Sequence, residues 1–163
     1  MNTTVAAAVS GLAATLPMTI AMETMFRRLP LTQRYPLPPR RITMRLAESL
    51  GIEHRLDEPE RHHLTLLNHF GYGTAAGAVY GLAARRWLPG ALGGAAFGLG
   101  LFVGSYLGWL PAADMHPPAT QMPAKRNALM IAAHLIWGAT LGTLTESLTR
   151  GQEITRQGSS AET

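Results

Sequence analysis

Residues 88–113 read LPGALGGAAFGLGLFVGSYLGWLPAA, a stretch without a single Lys, Arg, Asp or Glu. A helix rises about 1.5 Å per residue, and the hydrocarbon core of a bilayer is about 30 Å thick. This stretch is therefore long and apolar enough to cross a membrane as one helix. It predicts that the chain is an integral membrane protein.

Three further stretches of the chain are equally free of charge: Val5–Met22, Thr65–Ala84 and Asn127–Thr145. Mean hydropathy is only +0.07, so the prediction rests on how charge is distributed and not on average composition. Four such stretches in 163 residues leave too little polar chain to enclose them in a soluble protein. The sequence predicts an all-α integral membrane bundle of four transmembrane helices, one domain over residues 1–150, and a disordered polar tail over residues 151–163.

The polar loop between the first two spans carries several local signals. Residues 35–40 read YPLPPR, and consecutive prolines predict extended backbone there. Ile42–Leu50 follows as a short amphipathic helix, predicted to lie on the membrane surface with Ile42, Leu46 and Leu50 on one face. Asp57, with Glu60 three residues later, predicts a capping box at the start of the next helix. Pro89-Gly90 predicts a tight turn between the second and third spans.

Several classes of chemistry are excluded or disfavoured by composition. The chain has no cysteine, which excludes disulfides, thiolate nucleophiles and cysteine-ligated metals. It contains no recognisable catalytic constellation or phosphate-binding loop, so the prediction is a non-enzymatic protein without a cofactor or metal. A pI near 10.1 suits nucleic-acid binding. However, the arginines flank the apolar spans, and we expect them to face phospholipid headgroups instead.

The basic residues are unevenly divided between the two ends of the predicted spans. The loops between spans 1 and 2 and between spans 3 and 4 hold ten Lys and Arg, against four on the opposite side. The positive-inside rule then places both proline-rich loops in the cytoplasm and both termini outside. The pair Arg85-Arg86 on the opposite side favours the reverse orientation.

An internal repeat at an offset of 65 residues is the most informative pattern in the chain. It predicts two tandem two-helix repeats, about residues 5–88 and 89–150. A unit with an even number of spans begins and ends on the same side of the membrane. The two repeats are therefore expected to be parallel and to be related by an axis along the membrane normal. The aligned residues are Arg61, Leu64, His69, Tyr72, Gly73 and Gly77 with Arg126, Leu129, His134, Trp137, Gly138 and Gly142.

Glycines of this repeat share a helical face with its histidine, because they lie four and eight residues further along. Small residues at four-residue spacing allow helix backbones to approach closely within a membrane. The third span adds two glycines in the same spacing. The predicted helix-packing residues are Gly73, Gly77, Gly94, Gly98, Gly138 and Gly142.

His69 and His134 are the candidate functional pair, predicted at equal depth and facing the bundle interior. Each imidazole either bonds a neighbouring helix, lines a polar cavity that handles protons or a small solute, or ligates a b-type haem. Tyr72 and Glu23 complete the predicted intramembrane polar site. For Glu23 the alternative is an ion pair with Arg27, four residues later.

Three short motifs resemble those of the YagU-like family of small bacterial inner-membrane proteins. They are the YPLPPR run at residues 35–40, the GWLP and HPP runs at 108–111 and 116–118, and the HLIW run at 134–137. The resemblance implies a multi-pass protein of the bacterial inner membrane, connected with acid tolerance. It implies no catalytic residues.

The predicted function is therefore that of a non-enzymatic membrane protein with an intramembrane polar site between its repeats, handling protons or a small solute. The alternative is a haem-binding or structural accessory subunit of a larger membrane complex. The predicted partners are the lipid bilayer and either a second copy of the chain or such a complex, with no role for nucleic acid.

Overall fold

The structure, a computed structural model, describes residues 2–83 and 90–160, with side-chain surroundings for 2–82 and 90–150. Every regular element within these ranges is helical, which confirms the all-α prediction. The elements are α1 (Thr3–Phe26), α2 (Pro38–Ser49), α3 (Glu58–Ala83), α4 (Gly90–Gly104), the single turn α5 (Leu110–Ala112) and α6 (Ala124–Ser160).

Three of the described helical segments are long and apolar enough to cross a membrane: Thr3–Phe26, Gly90–Ala112 and Ala124–Arg150. They are compatible with a multi-pass membrane protein. The helix α3 is long enough, at 26 residues, but is not among them. Asn68, His69 and several glycines make its central part less apolar than the other three helices. The fourth span stays a prediction.

Helices α1 and α3 pack with their backbones in direct contact. A methyl group built on Gly77 would overlap the carbonyl oxygen of Ala7 and would lie 3.0 Å from the Cα atom of Gly11. A methyl group on Gly73 would overlap the hydroxyl of Thr15. This close approach therefore depends on the glycines of α3.

Helices α4 and α6 form a second pair that packs in the same way. Methyl groups built on Gly138 and Gly142 would overlap the carbonyl oxygens of Gly94 and Gly90, respectively. One built on Gly98 would overlap the carbonyl oxygen of His134. Helix α6 also packs against α1, which joins the two pairs into one bundle.

Helix α2 begins earlier than the sequence predicted. Pro38 and Pro39 form its first turn, so the prediction of extended backbone as far as residue 40 was wrong at its end. Proline is tolerated there because the first N–H groups of a helix have no partner within the helix.

Helix α2 packs against the protein through residues outside its predicted apolar face. Its buried residues are Pro38, Thr43 and Ala47, and the Thr43 hydroxyl accepts a hydrogen bond of 2.9 Å from the Asn68 amide of α3. Leu46 and Leu50 are exposed. The hydrogen bond between Thr43 and Asn68 determines which face of α2 packs against α3. The periodicity of α2 alone does not reveal this contact.

The capping box at the start of α3 is formed as predicted. The Asp57 carboxylate accepts from the backbone N–H of Glu60 at 2.8 Å, and the Glu60 carboxylate accepts from that of Asp57 at 2.9 Å. Of the predicted turn at Pro89-Gly90, only Gly90 lies within the described residues, with a φ of +69°. Pro89 and the pair Arg85-Arg86 lie outside them.

The predicted disordered tail begins at Gly151, within the length of helix α6. Helix α6 continues to Ser160, ten residues into the stretch that was predicted to be disordered from Gly151. No proline follows Pro123, so nothing in this segment removes a backbone donor and ends the helix. Residues 161–163 lie outside the described part of the chain.

Arg126, at the start of α6, binds the loop that follows α1. Its side chain is almost fully buried and donates to the carbonyl oxygens of Gln33 (2.7 Å), Tyr35 (3.0 Å) and Pro36 (3.1 Å). The guanidinium also lies 3.8 Å from the centre of the Tyr35 ring. One side chain thus fixes a proline-rich loop whose own backbone forms few regular hydrogen bonds.

Arg61, the repeat counterpart of Arg126, binds the loop directly before its own helix. It donates to the carbonyl oxygens of Leu56 (2.9 Å) and Glu53 (3.1 Å) and forms an ion pair with the Glu53 carboxylate at 2.6 Å. Both repeat arginines therefore hold loop carbonyls, although the loops differ.

Candidate functional site

A cavity of about 220 Å³ lies inside the bundle and receives both repeat histidines. It is bounded by α1, α2, α3, α4, α6 and the segment after α4. Its lining is mostly aromatic and aliphatic and includes no Lys, Arg, Asp or Glu. The polar or aromatic lining residues are Thr15, Asn68, His69, Tyr72, Ser105, Tyr106, Trp109, His134 and Trp137.

His134 is buried and held in one orientation. Its Nδ1 lies 2.8 Å from the carbonyl oxygen of Met130, and because a carbonyl only accepts, Nδ1 carries the proton. The other ring nitrogen, Nε2, is therefore left as an acceptor. Phe102 and Tyr106 pack edge-on to the imidazole, at centroid distances of 5.5 and 5.9 Å, and restrict its rotation.

His69 reaches the same cavity from α3. Its Nε2 atom is buried and has no hydrogen-bond partner among the described residues. Buried polar atoms in proteins are nearly always paired, and an unpaired one costs about 1–3 kcal/mol. His69, which lines a space large enough for a small molecule, thus carries a buried, unsatisfied polar atom.

A π-helical turn at Ser105–Trp109 supplies polar groups that the sequence reasoning missed. Gly108 departs from helical geometry there, with φ −114° and ψ −106°. The Ser105 hydroxyl lies 3.2 Å from the Tyr72 hydroxyl and accepts from Trp109 Nε1 at 3.2 Å. Turns of this kind are often found at functional sites. The available signal was Ser105 itself, the one serine in an otherwise apolar span.

The repeat partners Tyr72 and Trp137 both line the cavity but differ in their surroundings. Trp137 is 2% exposed and donates from Nε1 to the Gly11 carbonyl at 3.2 Å. Tyr72 is 41% exposed and pairs with Ser105. The two equivalent residues therefore make different contacts. Trp137 joins α6 to α1, whereas Tyr72 joins α3 to the segment after α4.

Glu23 does not belong to this site. Its side chain is exposed, it does not line the cavity, and no ion pair with Arg27 is formed. Both predicted roles for Glu23 are therefore corrected. Glu23 lies in the last turn of α1, where its side chain is exposed.

His116 lies in the loop over one end of the cavity. Its ring packs at 5.2 Å against Tyr106, a cavity residue, and its Nδ1 donates to the Pro117 carbonyl at 2.7 Å. Burial lowers the pKa of His116; the hydrogen bond opposes this, and the nearby charges of Arg41 and Arg126 lower the pKa further. The net effect of these causes favours the neutral form of the imidazole.

The arrangement does not suit a haem. A volume of about 220 Å³ is below the roughly 300–1,000 Å³ typical of pockets for drug-sized ligands, and a porphyrin is at least that large. The rings of Phe102 and Tyr106 occupy the space beside His134. No group of three or more His, Asp or Glu side chains in the described ranges is placed to hold a metal ion.

Comparison with known proteins finds no matching family model, and neither a curated protein nor a solved structure matches the chain. The resemblance to the YagU-like family therefore stays a prediction. The candidate site stands on its geometry alone.

Proposed function

We propose that this chain is a non-enzymatic, four-span protein of the bacterial inner membrane, built from two tandem two-helix repeats. The equivalent glycine contacts of α1 with α3 and of α4 with α6 support the duplication. The carboxyl-terminal part of α3, packed against an apolar helix along its length, supports a fourth span. The paired histidines mark the interface between the two units.

The function that the site supports best is binding of a small, uncharged solute that carries a hydroxyl group. The observation behind this proposal is the unpaired, buried Nε2 of His69 beside a cavity that also receives His134. A hydroxyl group both donates and accepts, so it can pair with the unpaired His69 nitrogen in either tautomer of that ring. The apolar lining accommodates the rest of the molecule.

Charge at the site argues for a neutral ligand. No ionised side chain lines the cavity, and burying an unpaired charge in such surroundings costs far more free energy than burying a paired neutral group.

Tribromoethanol is a suitable probe because it has one hydroxyl and a compact, heavy-atom body that quenches tryptophan. Trp109 and Trp137 line the cavity, so we expect saturable quenching of the purified protein in detergent. Replacing His69 with alanine removes one hydrogen bond and should weaken the apparent affinity about fivefold. The measurement is a fluorescence titration.

The matched control is His63→Ala, which removes an exposed imidazole from the same helix, outside the cavity. It should leave the titration unchanged. Linear, non-saturating quenching of the wild type would contradict a binding site, and equal affinity for both variants would contradict the role of His69.

The orientation gives a further testable prediction. With ten basic residues in the two proline-rich loops against four elsewhere, we expect these loops in the cytoplasm. An alkaline phosphatase fusion after residue 150 should be active, whereas a green fluorescent protein fusion at the same position should be dark. The reverse pattern would show that Arg85-Arg86 determines orientation.

A further inference from the structure

The long helices of the bundle pack in the order α3, α1, α6 and α4, and the two outer helices of this order are joined less closely than the rest. Helix α3 packs along α1, and α6 packs along both α1 and α4, whereas no comparable packing joins α3 to α4 within the described ranges. The α1–α3 and α4–α6 contacts bring glycine backbones together. The side between α3 and α4 is therefore one at which the bundle can open without disturbing its backbone contacts.

Side chains bridge this side of the bundle, here named the seam: Tyr72 and Tyr80 on α3, with Phe97, Ser105 and Trp109 opposite them. The hydroxyls of Tyr72 and Ser105 lie 3.2 Å apart, and the rings of Tyr72 and Trp109 have centroids 6.5 Å apart. Further along, the rings of Tyr80 and Phe97 are in contact at 5.3 Å. Exposed side chains change rotamer much faster than packed helices move, so the seam is the part of the wall that opens most readily.

The histidine cavity lies directly behind the seam. Among its described lining residues, three are exposed: Leu46, Tyr72 and Trp109, at 41%, 41% and 47%. Two of these three belong to the seam, and Ser105, which contacts both, is buried and lines the cavity. His69 lies one helical turn from Tyr72 on α3, so the two side chains are neighbours. The unpaired nitrogen of His69 is therefore close to the place where the cavity reaches the outer surface.

The outer surface at the seam belongs to apolar parts of the chain. Tyr72 lies within residues 65–84 and Trp109 within residues 88–113, and neither stretch contains Lys, Arg, Asp or Glu. Trp109 also belongs to a segment that is long and apolar enough to cross a membrane. Val79, which shares the face of α3 with Tyr72, is exposed. In a four-span protein this surface faces lipid, so a molecule that passes through the seam comes from the bilayer.

We propose that the histidine cavity is entered from the bilayer through the seam, and that its ligand is an alcohol with a hydrocarbon tail. This inference rests on the alcohol binding proposed above and adds the route and the chemical class. The hydroxyl pairs with His69, and the tail extends between Tyr72 and Trp109 towards the lipid. A cavity of about 220 Å³ then holds the head of the ligand without enclosing all of it. Tyrosine and tryptophan suit this position, since each has an apolar body and one polar group.

The route is tested with a single introduced thiol, because the chain contains no cysteine. In Tyr72→Cys, benzyl methanethiosulfonate attaches a bulky ring at the seam through a disulfide, and dithiothreitol removes it again. The readout is the rate of tribromoethanol quenching after rapid mixing with the purified protein in detergent. We expect the label to slow association at least about tenfold, because the ligand then waits for the wall to move, and reduction to restore the rate.

Leu67→Cys is the matched control, because this position on α3 is exposed and lies outside the cavity. The same label there should leave the rate unchanged. An unaltered rate after labelling of Tyr72→Cys would overturn the seam as the route, and so would equal slowing at both positions. Absence of saturable quenching in the unlabelled wild type would instead overturn the proposed alcohol binding, and this inference with it.

The hydrocarbon tail is tested on the wild type by competition against tribromoethanol. The competitors are n-butanol, n-dodecanol and dodecane, with concentrations expressed per mole of detergent so that partition into micelles cancels. We expect the two alcohols to displace the probe within about threefold of each other, because a tail that stays in an apolar surrounding neither gains nor loses on binding. Dodecane should be at least about fivefold weaker, since it lacks the hydroxyl. Failure of n-dodecanol alone would overturn the tailed ligand, and equal displacement by dodecane would overturn the role of the hydroxyl.

Discussion

Gly142→Leu should lower the free energy of unfolding in detergent by about 1–3 kcal/mol, the usual cost of forcing extra bulk into a packed contact. A side chain at this position meets the Gly90 carbonyl oxygen and, 3.0 Å away, the Cα atom of Gly94. Both are backbone atoms, which cannot rotate away, so the helices themselves must separate. Close packing drives helix association in membranes, and the whole α4–α6 contact is therefore weakened.

Gly77→Leu is the equivalent change in the α1–α3 pair and should have a similar effect, because it meets the backbone of Ala7 and Gly11. Gly100→Leu is the control: no atom lies within 4 Å of a methyl group built there. The measurement is Tm by circular dichroism for the three variants. Gly→Leu raises helix propensity at all three positions, so equal losses at all three would contradict the helix contact as the cause.

Arg126→Ala should destabilise the protein by about 3 kcal/mol, since charged hydrogen bonds typically contribute about 1.5–3 kcal/mol each and are not additive. The change leaves the carbonyl oxygens of Gln33, Tyr35 and Pro36 without their donor. It also removes the guanidinium from the Tyr35 ring, a contact of about 1 kcal/mol. The loop after α1 should then open.

Opening of that loop is measurable by limited digestion with trypsin, which should cut after Arg34 faster than in the wild type. Arg126→Lys should rescue only in part, because one ammonium group cannot reproduce the planar fork of donors. Lys125→Ala is the control, as its side chain is exposed. An unchanged cleavage rate in Arg126→Ala would show that the loop is held by other contacts.

Sequence patterns predicted the helices well because each signal is local. Charge-free length indicated α1, α4 and α6, and the Asp57–Glu60 capping box marked the start of α3 within one residue of its observed position. The start of α2 was misjudged because consecutive prolines are compatible with two states, extended backbone and the first turn of a helix. The contact between Thr43 and Asn68 belongs to the second state.

The sequence predicted only part of the candidate site. His69 and His134 were found because they recur in the repeat, whereas Ser105 and Trp109 belong to a π-helical turn that has no counterpart in it. Glu23 was misassigned because helical spacing places it below Thr15 and Thr19 without revealing where the neighbouring helices end. In the structure, Glu23 is exposed in the last turn of α1 and does not line the cavity.

By itself, the sequence determined the class of the protein, the helices and the glycine positions that let backbones touch. These follow from charge, length and spacing along one chain, which act over a few residues. Tertiary structure alone decided that the two histidines line one cavity and that Arg126 reaches back across 93 residues to Gln33. Such arrangements depend on which faces of different helices meet, and that is fixed by packing of the whole bundle.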